Sequence, residues 1–203
     1  MSRTIETLTV LESNALLDAL LCPYGTSAQK RKAVRNYCIG LLMLDAGLRV
    51  GEVTRLLFTD VVLAGEPVKA LCVTSDISKS KFDRTIPLSG RLQRAIKNHC
   101  NWNRPTDEPG YLCFAFCKPN HRLHISVRQV QRIIKQASIK AIGRAIHPHV
   151  LRHTFASRLM RQTSIRVVQV LLGHKQLSST QVYTHPDSND LSTAISLVEA
   201  ASL

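Results

Sequence analysis

One stretch of the chain decides how the rest is interpreted: His147-Pro148-His149-Val150-Leu151-Arg152-His153-Thr154-Phe155-Ala156-Ser157. Proline suits the first turn of a helix and disfavours helical geometry in the residue before it. Leu151, Phe155 and Leu159 recur at helical spacing, which predicts a helix with an apolar face. His149 and Arg152 project from one side of its first turn. This pair suits an anionic oxygen near a helix start, although a solvated basic turn has the same pattern.

Composition and charge limit the class of protein. The chain has 203 residues, of which 44% are hydrophobic and 20% charged, which is typical of a folded domain with a sizeable core. The formal net charge of +13 indicates a polyanionic partner, most simply nucleic acid. The sequence has neither an apolar run of about 18 residues nor a secretory signal pattern. We therefore expect a cytoplasmic, nucleoid-associated protein that does not enter a membrane.

The cysteines indicate packing rather than metal binding. In a reducing compartment, scattered cysteines in apolar contexts are expected to be buried thiols. One cluster has spacings that zinc sites also use, namely Cys113, Cys117, His121 and His124. The run from Tyr111 to Cys117 predicts a buried strand, in which the two sulfurs would lie about 13 Å apart, too far for one ion. We predict no metal site.

Helical patterns dominate the first quarter of the chain. Apolar spacing predicts a short helix over residues 12–21 and a longer, largely buried one over 28–45, with Ser27 as its N-cap and Gly47 as its C-cap. A short helical stretch follows over residues 48–56. Within it, Arg49 and Glu52 are spaced to meet on one face. The pair is either an ordinary surface ion pair or a carboxylate that holds a buried arginine in place for an anion.

The middle of the chain predicts a small sheet and a basic helix. Residues 68–74 and 85–87 are rich in β-branched side chains and flank a polar, basic tip, which predicts a hairpin. Residues 111–116 predict a third strand. Residues 126–142 predict a helix whose basic face could follow a DNA groove: Arg128, Gln131, Arg132, Lys135 and Lys140. The expected fold class is mainly α with a small antiparallel three-stranded sheet.

Five short motifs, taken in order, resemble the signature boxes of the tyrosine recombinases, the phage integrase and Xer-like group. They are Ala46-Gly47-Leu48-Arg49-Val50-Gly51-Glu52, Lys79 before Arg84-Thr85-Ile86-Pro87-Leu88, His149-Val150-Leu151-Arg152-His153-Thr154-Phe155-Ala156, Leu172-Gly173-His174 and Tyr183-Thr184-His185. The resemblance runs from about Leu8 to His185. It implies the catalytic fold of enzymes that break and rejoin DNA, with these catalytic residues: Arg49, Lys79, His149, Arg152, His174 and Tyr183, supported by Glu52.

The chemistry of a phosphodiester explains why these residue types occur together. Two guanidiniums, here Arg49 and Arg152, neutralise its charge and bind its non-bridging oxygens. Two imidazoles add hydrogen bonds, and Tyr183 is the expected nucleophile that forms a 3′-phosphotyrosyl link. Lys79 resembles the general acid that protonates the leaving 5′-hydroxyl. Lys81, two positions on, is the alternative for this role.

The resemblance also implies partners and an organisation. We expect double-stranded DNA as substrate, a tetramer on paired DNA sites, a monomer when free, and no metal, ATP or other cofactor. Residues 1–203 are expected to form one catalytic domain, with a tail over 186–203 that either packs on its own domain or passes to a neighbour. Most of the family has a separate N-terminal domain, so the chain is either a fragment or similar to the compact fimbrial inverting recombinases. Two alternative functions are a topoisomerase IB-like enzyme and a DNA-binding regulator without catalysis.

Overall fold

The structure is a computed structural model. It describes residues 6–21, 24–78, 83–103, 110–116, 123–174, 176 and 178–181. Its helices are α1 Val10–Leu21, α2 Ser27–Leu44, α3 Val50–Arg55, α4 Phe58–Val61, α5 Gly90–Asn103, α6 Val127–Ile142, α7 Pro148–Met160, α8 Ile165–Leu172 and α9 Ser178–Gln181. Its strands are β1 Val62–Leu63, β2 Glu66–Pro67, β3 Ala70–Val73 and β4 Arg84–Pro87. Within the described residues, no helix is long and apolar enough to cross a membrane.

Helix α2 lies at the centre of the molecule. It contacts α1, α5 and α7, and its second half is almost entirely buried, as the apolar pattern of residues 37–44 predicted. Thr26, not the expected Ser27, is the N-cap, because Thr26 Oγ1 accepts from the N–H of Gln29 while the Gln29 side chain accepts from the N–H of Thr26. The helix ends at Leu44, so the expected end at residue 45 is one residue late and the C-cap is Asp45 rather than Gly47.

Gly47 has a different role from the one expected. It lies in the turn between α2 and α3 with φ +61°, a conformation that favours glycine. A Cβ added there would lie 2.3 Å from Cδ1 of Phe155. The turn therefore packs directly on α7, and this contact brings the start of α3 next to the arginine of the opening stretch.

The mainly helical fold with a small antiparallel sheet is confirmed, but the strand arrangement differs from the expected single three-stranded sheet. In the described residues, β1 pairs with β2 and β3 pairs with β4, giving two separate antiparallel pairs. Residues 111–116 make isolated bridges instead of a third strand. Tyr111 bridges to Leu57 and Phe114 to His124, so this segment changes partner before a continuous ladder forms.

The predicted basic helix is α6, with Ser126 as its N-cap and Gly143 as its left-handed C-cap. Val130, Ile134 and Ser138 are buried, and the predicted basic face is exposed: Arg128, Gln131, Arg132, Lys135 and Lys140. Helix α7 begins at Pro148, as the opening stretch predicted, and its N-cap is His147. Thr154 of α7 accepts a hydrogen bond from the N–H of Leu8, which fixes the start of the described chain to the core.

Candidate active site

A buried carboxylate joins two arginines at the start of α3. Glu52 is 1% exposed, and its oxygens accept from the Arg49 N–H at 2.8 Å and from Arg49 Nη1 at 3.0 Å. They also accept from Arg84 Nη1 at 3.0 Å and from Arg84 Nη2 at 2.7 Å. The side chain of Arg84 is 3% exposed and that of Arg49 is 22% exposed. The expected contact between Arg49 and Glu52 is therefore present, and the fully buried arginine is Arg84.

The charges in this cluster keep Glu52 ionised. Burial alone raises the pKa of its carboxyl group, but hydrogen bonds and charge from Arg84, the Arg49 N–H and the charge of Arg152 outweigh burial, so the pKa lies below its usual value. A buried carboxylate with a bidentate arginine has a fixed geometry. Glu52 consequently holds the main chain and the guanidinium of Arg49 in one orientation.

Arg152 is fixed by main-chain oxygens. Its guanidinium is buried in α7 and donates from Nη1 to the carbonyl of Gly47 and from Nη2 to the carbonyl of Leu172 at 2.7 Å. Gly47 lies two positions before Arg49 and Leu172 two positions before His174. Arg152 thus connects the α2–α3 turn and the end of α8, which brings three predicted site residues to one place.

His174 lies beside Arg152, and its hydrogen bonds define its tautomer. Arg152 Nη2 is 3.3 Å from His174 Nε2, and Thr180 Oγ1 is 3.0 Å from His174 Nδ1. Because a guanidinium only donates, Nε2 must accept, and Nδ1 then carries the proton and donates to Thr180. The pKa of His174 is lowered to about 4, first by burial and then by four neighbouring charged or ionisable groups: Arg152, Arg49, Arg84 and His153. The ring is therefore neutral at pH 7, and the charges of both predicted arginines contribute to its lowered pKa.

The remaining imidazoles form a pair on α7. His149 is exposed, and its ring centroid is 6.3 Å from that of His153. Burial first, and then the charges of His149 and Arg152, lower the pKa of His153. His153 is half-buried and was not among the predicted site residues. Its place one turn after His149 is the signal in the sequence that could have found it.

Two predicted residues, the nucleophile Tyr183 and the general acid Lys79, lie outside the described residues. The alternative acid Lys81 and the tail over 186–203 also lie outside them. Of the four residues whose spacings zinc sites also use, Cys117 and His121 also lie outside the described residues. In the described part of the chain no group of three or more His, Cys, Asp or Glu side chains could hold a metal ion. There Cys113 is fully buried and His124 Nδ1 lies 3.0 Å from the carbonyl of Ile125.

An open pocket lies next to His174. It has a volume of about 580 Å³. It lies between β4 and α8, and these residues line it: Asp83, Arg84, Thr85, Arg166, Gln169, Val170, Gly173 and His174. Of the residues in the cluster, Arg84 and His174 line this pocket, whereas Arg49 and Arg152 are not among its lining residues.

Two residues of this cluster, Arg84 and Thr180, had no assigned role in the sequence prediction. Strand β4 alternates buried and exposed, and Arg84 shares the buried face with Ile86. An arginine on the apolar face of a predicted strand is the signal that could have indicated its role. Thr180 is fully buried, and its Oγ1 contacts His174 Nδ1 across the turn between α8 and α9. No pattern in the sequence indicates this contact.

Comparison with known proteins accounts for this arrangement. The model of the Phage integrase family matches residues 7–190. The chain belongs to the phage integrase family. The motif resemblance to the tyrosine recombinases is thereby confirmed, as is the assignment to DNA recombination at the level of the family.

Curated members of the phage integrase family share about a third of the sequence. The chain is 36% identical over 163 residues to the tyrosine recombinase XerA of Pyrococcus furiosus, an alignment covering 80% of this chain and 54% of that protein. It is 36% identical over 157 residues to XerC of Neisseria meningitidis serogroup B, covering 76% and 49%. The chain spans about half the length of the curated relatives it matches.

Solved structures of the phage integrase family share the fold. The crystal structure of XerA recombinase matches with a TM-score of 0.73 and 27% identity, covering 95% of this chain and 65% of that one. The pre-cleavage complex of the XerH recombinase with its difH substrate matches with a TM-score of 0.67 and 23% identity, covering 97% and 55%. The second likeness is one of fold alone.

Proposed function

We propose that this chain is the catalytic part of a site-specific DNA recombinase that cuts and rejoins strands through Tyr183. The observation that carries the proposal is the convergence of Arg49, Arg152 and His174 beside an open pocket. These residues come from three separate parts of the sequence, and Glu52 and two main-chain carbonyls fix the arginines. An ordinary structural ion pair does not require a second arginine and a neutral imidazole at the same place.

The cluster suits the transition state of phosphoryl transfer. Negative charge grows on the non-bridging oxygens of the phosphate as the nucleophile attacks, and fixed donors stabilise that charge without reorganising. Arg49 and Arg152 supply guanidinium donors, and His149 and His174 supply imidazoles. Loss of one such donor typically lowers the rate by about 10²–10³.

Tyr183 is proposed to attack the phosphorus, with its phenol proton passing to His149 or His174, and to displace the 5′-oxygen of the next nucleotide. A phenol with a pKa near about 10 needs cations nearby to ionise at neutral pH, and the excess of positive charge around His174 supplies them. Lys79 is proposed to donate a proton to the leaving 5′-oxygen. Attack of a different 5′-hydroxyl on the phosphotyrosyl link then joins new strands. No step of this scheme needs a metal, ATP or another cofactor.

The proposed DNA partner agrees with the surface of α6. Its exposed side carries Arg128, Arg132, Lys135 and Lys140, and cations on one helix face suit a phosphate backbone. Recombination joins two duplexes, so we propose that four copies assemble on paired sites. In that assembly the tail over 186–203 is proposed to reach a neighbouring copy.

The test is a suicide duplex that carries the target site and a nick, so that the cleaved end diffuses away. Wild-type protein is expected to form an SDS-resistant covalent adduct without added metal. Tyr183→Phe should abolish the adduct and leave DNA affinity intact, because only one oxygen is removed. An adduct that persists in Tyr183→Phe would exclude this nucleophile, and no adduct from the wild type on any trapped DNA would exclude catalysis.

The general acid is tested with a substrate whose leaving oxygen is replaced by sulfur. A thiolate leaves without a proton, so the defect of Lys79→Ala is expected to disappear on this substrate. Lys81→Ala is the matched control and should form the adduct at the same rate on both substrates. Rescue of Lys81→Ala alone would transfer the role to Lys81.

A further inference from the structure

Arg84 connects three separate parts of the candidate site. Its two terminal nitrogens bind both oxygens of Glu52, the carboxylate that also holds Arg49. Its Nε donates to the carbonyl of Leu171 at 3.1 Å. Leu171 lies in the last turn of α8, three positions before His174.

The end of α8 is shaped around the Arg84 side chain. Gly173 is the left-handed C-cap of α8, with φ +63°. A Cβ added at this glycine would lie 2.9 Å from Cδ of Arg84. Backbone conformation and close approach both require glycine here, so the turn that carries His174 lies directly against the arginine.

Arg84 also fixes the start of β4. Its side chain shares the inward face of the strand with Ile86, and the strand pairs with β3 from Val73 to Ala70. In the sequence Arg84 follows Lys79, the proposed general acid, by five positions. One guanidinium therefore joins the hairpin strand, the helix start that carries Arg49 and the turn that carries His174.

We propose that Arg84 is a positioning residue for strand cleavage, which holds Glu52 and the end of α8 in one fixed geometry so that Arg49 and His174 meet the same phosphate. This inference rests on the proposed function. Arg84 is buried and its nitrogens are engaged by Glu52 and Leu171, so it is proposed to act through Arg49 and His174 and not on the phosphate itself. Its loss is expected to slow chemistry more than it weakens DNA binding, because the exposed cations of α6 are unchanged.

The test measures the rate of adduct formation in a single turnover at saturating suicide DNA. Arg84→Lys keeps the positive charge beside Glu52, but its donors share one nitrogen, so it cannot reproduce the planar fork that spans both carboxylate oxygens and the Leu171 carbonyl. We expect the rate to fall about 10- to 100-fold, because a small displacement of catalytic groups has effects of this size. The dissociation constant for DNA should stay within about twofold.

A cycle with Arg49 separates positioning from general stability. If Arg84 acts through Arg49, adding Arg84→Lys to an Arg49→Ala variant should lower the rate by less than about threefold, because coupled residues are not additive. Arg35→Lys is the matched control. Arg35 is also a buried arginine that donates to a main-chain carbonyl, that of Phe114, but it lies on α2 and outside the site.

Two results would overturn the proposal. One is an adduct rate of Arg84→Lys within about twofold of the wild type, and the other is an equal loss in the presence and absence of Arg49. Gly173→Ala displaces the same contact from the α8 side and should reproduce the loss of rate if Arg84→Lys is too unstable to assay.

An NMR titration of His174 keeps this inference separable from the proposed function. Removal of the neighbouring positive charge in Arg84→Gln should raise the pKa of His174 whether or not the protein cleaves DNA. A wild type without any adduct, together with a raised pKa, would refute the recombinase and leave the contact of Arg84 with the His174 turn supported. If the Arg84 variants form the adduct at the wild-type rate and the pKa of His174 is unchanged in them, the positioning role is refuted and the recombinase proposal stands.

Discussion

At the scale of single residues, two hydrogen bonds define the protonation state of His174 in the free site. Its Nε2 accepts from Arg152 and its Nδ1 donates to Thr180, so the free site holds a neutral ring. A phosphate oxygen accepts hydrogen bonds, so a side chain that binds it must donate one. If His174 binds the phosphate as proposed, substrate binding must be accompanied by a change of tautomer or by uptake of a proton at this ring.

The lowered pKa of His174 predicts a specific pH dependence of stability. The unfolded chain takes up a proton at this residue near its ordinary pKa of 6.5, whereas the folded chain does so only at about 4. Between these values the unfolded state binds more protons, so His174 makes the protein less stable as the pH falls from 6.5 to 4. In His174→Gln the melting temperature should fall less over this range.

A measurement on single variants checks this sign. Thermal unfolding of wild type and His174→Gln is compared at several pH values, with His124→Gln as the control imidazole outside the site. Glu52 acts in the same direction at the lower end: its folded pKa lies below the ordinary value of 4.5, so its stabilising contribution is lost as the pH falls from 4.5 through that lower value. Identical pH profiles for wild type and His174→Gln would contradict the prediction.

Thr180 is predicted to control the orientation of the His174 ring. Thr180→Val keeps the shape of the side chain and removes the oxygen that accepts from Nδ1, which leaves a buried donor unsatisfied. Adduct formation should fall about tenfold, the size of effect expected when one orienting hydrogen bond is lost. Thr180→Ser keeps the oxygen and should retain the rate. Equal rates for the valine and serine variants would exclude this role.

At the scale of elements, turns position the site as much as helices do. The α2–α3 turn needs Gly47, whose φ is +61° and whose added Cβ would collide with Phe155. Gly47→Ala should lower the free energy of unfolding by about 1–3 kcal/mol, through backbone strain and displacement of α7. Denaturant titration measures this change.

Gly51 provides the matched control for that turn. It lies in α3 with open space where a Cβ would be placed, so nothing there requires glycine. Gly51→Ala should leave stability unchanged or raise it by up to about 1 kcal/mol, because alanine is the better helix former. A loss of stability in Gly51→Ala equal to that in Gly47→Ala would show that the turn has no special role.

Elements also show where prediction from the sequence succeeds. Several features follow from local spacing, which the sequence carries directly: the hairpin, the start of α7, the basic face of α6 and the proximity of Arg49 to Glu52. The third strand does not, because residues 111–116 exchange hydrogen bonds with Leu57 on one side and His124 on the other. An alternating apolar pattern cannot distinguish a continuous ladder from two isolated bridges.

Arg84, one of the residues that prediction missed, depends on partners that are distant along the chain. Arg84 binds a carboxylate 32 positions earlier and a carbonyl 87 positions later, and Thr180 binds a histidine across a turn. Burial of a charged side chain is decided by such long-range pairing, which spacing along the chain does not contain. Lys79 and Tyr183 remain predictions, since they rest on the motif resemblance.

At the scale of the whole molecule, the net charge of +13 predicts that binding of the proposed DNA partner depends on salt concentration. Cations that contact phosphate release counterions, so affinity falls with salt in proportion to the number of contacts. If α6 lies along the backbone, Lys135→Gln should weaken binding for all sequences and reduce the slope of log affinity against log salt by about 0.9.

Lys97→Gln is the control for this prediction. Lys97 is an exposed lysine on α5 that forms an ion pair with Glu66, and it lies on a different element from the basic face. Its removal should leave the salt slope unchanged. Equal slopes for Lys135→Gln and the wild type would place the DNA on another surface.

Because main-chain carbonyl groups anchor the two guanidiniums, many side chains around them can be substituted without loss of the anchor. Arg152 and Arg84 bind oxygens of Gly47, Leu171 and Leu172, and every amino acid supplies that oxygen whatever its side chain. Replacement of a leucine by another apolar residue therefore leaves the anchor intact so long as the backbone path is kept. Surrounding side chains can therefore change while the positions of both guanidiniums are kept.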